Sequence, residues 1–274
     1  MLTDNLAHRA LFTLPPVRVS AETAPVVQSL PPQRSITGDS EVDAVLWLRE
    51  VIKTGQAGPI ATALSAAKKI NTPLSDVEKR YTQILRQANP GNPFATFASI
   101  GFTELERLAE RSVEEHRRRS EAAARFDGEA IWENTPAEAF CEKALKRCKG
   151  FKSYIDNDKA EVEKRFRRYG HLMPHTLADC LHELGYWDHL YKLRNAVGEC
   201  GDGMHEAIAR EWFVEGLLAV IPPVSQAEAL SVLTYARTAD GIDHDKLIAI
   251  AENLVGVHAV AASANAKFQL EVCR

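Results

Sequence analysis

The stretch 40-SEVDAVLWLREVIKTG-55 decides the fold class. Ser40-Glu-Val-Asp has the polar, acidic character of a helix start. Val42, Val45, Leu46 and Ile52 then recur broadly on one side at helical spacing, and Gly55 stops the pattern. Downstream, an Ala-rich helix is expected from about Pro59, a residue suited to a first turn, to Ile70, where Asn71-Thr-Pro-Leu breaks it. Ser75-Asp-Val-Glu78 reads as a capping box, in which the serine oxygen accepts a backbone N–H and the glutamate reaches back to the cap. The same spacing recurs at Thr103–Glu106, Thr135–Glu138 and Ser225–Glu228. Alternating β-branched runs joined by hairpin turns are missing, and no fixed period repeats. The chain is therefore predicted to be all-α, a multi-helix bundle in two helical parts, residues 40–127 and 128–274, divided at Asp127-Gly128. Pro15, Pro16, Pro25, Pro31 and Pro32 stand among small polar residues without periodicity, so residues 1–39 are expected to form a disordered Pro-rich arm.

Composition excludes whole classes. With 45% hydrophobic and 26% charged residues the chain is globular. Its longest apolar run, Gly216 to Val224, is broken by Pro222 and Pro223 and falls well short of the ~18 residues of a membrane span. Asp4, His8 and Arg9 interrupt the first residues where a secretion signal would carry its apolar core, so no membrane association and a cytoplasmic location are expected. Five cysteines, Cys141, Cys148, Cys180, Cys200 and Cys273, are odd in number and lack CxxC spacing, which predicts reduced, packed thiols. The formal net charge of −4 hides an asymmetry: residues 141–170 hold ten Lys/Arg against five Asp/Glu, and residues 195–274 hold five against eleven. An anionic partner should meet the middle of the chain.

Four local patterns bear on function. IATALSAAKKINTPLSDVEKRYTQIL, residues 60–85, has the form of a helix-turn-helix: a small-residue helix, a short turn and a second helix, with Lys68, Lys69, Lys79, Arg80 and Arg86 available to phosphates. Asn71 stands where glycine is usual and Arg80 where an apolar residue is expected, and an ordinary αα-hairpin has the same outline. In residues 141–171, Lys146, Arg147, Lys149, Lys152, Arg165, Arg167 and Arg168 alternate with Phe151, Tyr154, Phe166 and Tyr169. That composition suits nucleic acid, although the aromatics equally fit a core face. His175, Asp179, His182, Tyr186 and His189 share one helical face that should point away from the core. A metal there would need Asp179 with His175 or His182, completed by Asp202 and His205. Residues 103–125 combine six acids with six arginines at helical spacing, a solvated helix that a protein partner could use.

Gly198-x-x-Gly201-x-Gly203 looks like a phosphate loop but follows a helix and lacks the lysine, so a helix end followed by an Asp202 cap explains it better. No nucleophile elbow, HExxH or Walker sequence is present, and no cofactor is expected. The leading expectation is a non-enzymatic binding protein, a DNA-associated regulator acting through the helix-turn-helix-like element, with a homodimer as its usual form. The alternatives are a protein-interaction scaffold and, behind it, a metal-dependent helical-bundle enzyme.

Overall fold

A computed structural model describes residues 3–18, 30–198, 203–239 and 242–256. Among these residues the chain forms eleven α-helices and no strand: α1 Leu6–Leu11, α2 Ser40–Lys53, α3 Ala57–Ala67, α4 Leu74–Ala88, α5 Leu105–Arg125, α6 Pro136–Leu145, α7 Lys159–Arg167, α8 Leu177–Val197, α9 His205–Leu217, α10 Gln226–Thr238 and α11 His244–Leu254. None of the described helices is long and apolar enough to cross a membrane. The helices divide into two units, one of residues 17–127 and one of residues 1–16 together with 128–274.

In the first unit α2 is the hub. Asp39, one residue before the expected start, caps it by accepting the N–H groups of Glu41 and Val42. Val42, Val45, Leu48, Val51 and Ile52 bury against Ile60 and Ala63 of α3, Val77 of α4, and Phe102, Leu105 and Ala109 at and inside the start of α5. Leu46 is only partly buried, and Trp47 beside it donates to the Pro31 carbonyl at 2.7 Å. Gly55 has φ +69°, and a Cβ there would overlap the side chain of His116 on α5. Both the left-handed turn and the close approach require glycine. Gly55→Ala is expected to cost more than about 1 kcal/mol, read as a lower urea midpoint. An unchanged midpoint would mean that α5 moves aside without loss.

Three of the four expected capping boxes work differently. Pro73 starts α4 at Leu74, so Ser75 lies inside the helix. Phe102 is drawn into the core and stacks on Tyr81 at 5.5 Å, which winds Phe102–Glu104 into a 3-10 turn and leaves Thr103 without a capping role. Thr135 and Glu138 form the reciprocal box in full. Ser225 caps α10, but Glu228 turns to the N–H groups of Val224 and Ala178, both at 2.7 Å.

The second unit is built around α8, whose buried residues Leu177, Asp179, Cys180, Glu183, Leu184, Tyr186, Trp187, Leu190, Leu193 and Ala196 occupy most of its circumference. Helices α1, α9 and α10 pack on it, α6 and α7 pack on α9, and α11 packs on α10.

The expectation of a disordered arm over residues 1–39 is corrected at both ends. Residues 6–11 are helical, and Phe12 is buried against Phe140, Tyr186 and Trp187, because burying a large ring outweighs the cost of ordering one short turn. At the other end Thr37 and Ser35 donate to Asp43, tying residues 35–39 to α2. Residues 19–29 lie outside the described set.

Candidate functional site

The helix-turn-helix-like element contains two helices, but α3 rests on α2 and α5 while α4 rests on α2 and the 3-10 segments that follow it. Its cations are largely committed within the unit. Lys68 faces Glu106 at 3.6 Å, and Lys79 pairs with Asp76 at 2.9 Å. Arg80 lies against Glu41 at 2.5 Å and Asp39 at 3.4 Å. Arg80 thus fastens α4 to the start of α2, a role its place on an isolated helix could not reveal. Lys69 and Arg86 are exposed.

The basic stretch of residues 141–171 is sorted by the fold into spent and unspent cations. Arg165 donates to the carbonyls of Lys146 and Arg147, which the end of α6 leaves without helical partners. Lys152 pairs with Asp156 at 2.9 Å, and Arg167 lies over the Phe213 ring and meets Glu163 at 3.6 Å. Lys146, Arg147 and Lys149, held in place by the buried Cys148 between them, are exposed, as are Lys143 on α6 and Arg168 at the end of α7. Three of the four interleaved aromatics are engaged with other rings of the fold. Phe166 is fully buried and stacks on Phe213 at 5.6 Å, Tyr169 meets Phe140 edge-on, and Tyr154 packs between His205 and Trp212.

The outward metal-binding face is corrected. Asp179 is fully buried, and its carboxylate accepts from the N–H groups of Asn5 and His175 and from Arg9 Nε, at 2.9, 3.0 and 2.7 Å. Burial opposes its ionisation most, yet these donors hold its carboxyl below the usual carboxylate range. Tyr186 is buried and donates to Thr135, while burial pushes its hydroxyl up to about 12. His182 reaches the Arg9 carbonyl at 3.2 Å, His175 is exposed beside Asn5, and His205 is turned to Tyr154. α1 covers this face, which explains the difference. Asp202 lies outside the described residues, and among those described no three His, Cys, Asp or Glu side chains converge as metal ligands would.

What the residue pattern did not single out is a charge cluster in the core. Arg210 of α9 forms a bidentate pair with Glu183 of α8, at 2.7 and 2.8 Å, and both side chains are fully buried. The guanidinium also lies 5.2–5.7 Å from the ring centres of Phe12, Phe140, Phe166 and Phe213. His8 Nε2 meets the same carboxylate at 2.7 Å, and Trp187 Nε1 donates to it at 3.3 Å. Burial is the largest influence on Glu183 and opposes ionisation, but the charge and hydrogen bonds of Arg210, with those of His8, hold its carboxyl low. The signal was present: Glu183 stands among Cys180, Leu184 and Trp187, and Arg210 among Ala207, Phe213 and Val214, each a charge on an apolar face. The nearby Cys141 and Cys180 are free and buried, and burial pushes both thiols well above their ordinary range, as unreactive packed thiols should be.

Between α8 and α9 a cavity of about 610 Å³ opens, bordered also by Glu138 of α6. Trp187, Tyr191, Trp212 and Ile208 supply apolar wall, and Asp188 and Glu211 supply carboxylates. The one cation among its described lining residues, Arg194, is committed to Glu138 at 2.6 and 3.0 Å and to the carbonyls of Ile131 and Glu133. Burial, followed by the charges of Glu215, Asp188 and Glu183, pushes the Glu211 carboxyl up to about 7. Comparison with protein-family models, with curated proteins and with solved structures finds no match for the chain.

Proposed function

We propose that this chain is a nucleic-acid-binding protein that meets phosphate through Lys143, Lys146, Arg147, Lys149 and Arg168 in its second unit. One observation supports it: these five cations are exposed on two neighbouring helix ends that Arg165 ties together, and no carboxylate among the described residues pairs with them. Lys68, Lys79 and Arg80 of the helix-turn-helix-like element, by contrast, have intramolecular partners. Because the rings of Tyr154, Phe166 and Tyr169 are engaged with other rings of the fold, contact would be chiefly with the backbone and weakly dependent on sequence.

Fluorescence anisotropy of the full chain with labelled random duplex and single-stranded DNA, repeated across a salt series, tests this. Binding should weaken steeply with salt. The triple change Lys146→Ala, Arg147→Ala and Lys149→Ala should lower the slope of log K against log salt by about 2–3. Loss of binding on changing Lys69 and Arg86 instead would move the contact to the helix-turn-helix-like element. Absence of binding at low salt would overturn the proposal. The protein-interaction reading would then lead, supported by Phe94, Phe97 and Ile100, which are 61–69% exposed in one short stretch.

A further inference from the structure

We infer that the cavity between α8 and α9 is a binding site for an organic cation, an alkylammonium or guanidinium group held by Glu211 against the rings of Trp212, Tyr191 and Trp187. The wall is built rather than incidental. Tyr154 meets Trp212 edge-on at 5.4 Å and props its ring, while Trp187 is anchored by its bond to Glu183. Aromatic faces attract cations, and more strongly where water is partly excluded.

Charge selects the same ligand. Lys192 pairs with Asp188, Arg194 with Glu138 and Lys246 with Glu215, so the neighbouring cations are committed. Glu211 has neither an ion pair nor a hydrogen bond to any described residue, although it sits largely out of water among other acids. A carboxylate so placed repels anions and gains most from a cation that brings its own apolar body into the cavity.

Two cationic probes distinguish the source of the group. N-acetyl-arginine amide stands for a side chain of a partner, and spermidine for a free polyamine. Tryptophan fluorescence of the full chain, titrated at about pH 8 where Glu211 is ionised, is expected to change saturably with at least one of them, with a Kd of about 1 mM for so small a ligand. The uncharged isostere N-acetyl-citrulline amide should leave it unchanged. Glu211→Gln should weaken binding about tenfold or more, and Trp212→Leu, followed through Trp187, should do the same. A saturable response to arginine amide alone points to a partner's side chain, and a stronger one to spermidine points to a free amine; either supports the site. No saturable change with either cation, an equal response to the citrulline analogue, or unaltered affinity in Glu211→Gln would overturn it. Glu211→Gln is not expected to unfold the chain, so lost affinity in that variant reports on the site.

Discussion

Arg210→Ala is expected to destabilise the second unit by about 3–5 kcal/mol, because it leaves the Glu183 carboxylate buried without its counter-charge. The cost has two parts. Glu183 loses both arms of a bidentate pair, and four aromatic rings lose the guanidinium packed among them. Glu183→Gln should be damaging for the mirror reason, stranding Arg210. The double replacement Glu183→Gln with Arg210→Ala should cost much less than the two singles added, since no unpaired charge remains. Urea unfolding of the three variants measures this, and additive losses would show that the two side chains act independently. The same pair sets the response to acid. The Glu183 carboxyl is held below its unfolded value, so its contribution is complete above about pH 4.5 and is lost as pH falls through the depressed folded value.

Glu211→Gln should have the opposite sign. The folded carboxyl is raised from 4.5 to about 7, so between those values the native chain keeps a proton that the unfolded chain releases. The stability tied to this group is therefore complete below about pH 4.5 and declines as pH rises to about 7, by up to about 3 kcal/mol. Glutamine does not ionise. The variant should match the parent near pH 4.5 and exceed it near pH 8, a difference visible in urea midpoints at the two values. A gain independent of pH would show that the effect is one of packing and not of charge.

How far residues alone could lead differs between fold and site. Helices announced themselves through local chemistry: the box at Thr135–Glu138, the cap at Ser225 and the stop at Gly55 are contests settled within a few residues. The sites depend on partners far away in the chain. Arg80 reads as a phosphate contact until Glu41 is placed beside it, and the histidine face reads as outward until α1 covers it. Periodicity failed on α8 because a central helix is buried on nearly all sides, leaving little contrast to detect. Glu211 was hidden for a similar reason, since an acid on a helix is ordinary until its surroundings are known.

The contact between His8 and Glu183 spans 175 residues, and the first unit lies between them. Arg18 N–H meets the Ala124 carbonyl at 2.8 Å, so the chain enters and leaves that unit at one neck. During synthesis at about 5–20 residues per second, α1 would emerge about 10–35 s before the helix that shelters Phe12. Residues 17–127 can complete their core in that interval, whereas the second unit must wait for both of its pieces. A chain stalled before residue 183 would therefore present one finished unit and one exposed apolar segment at its start.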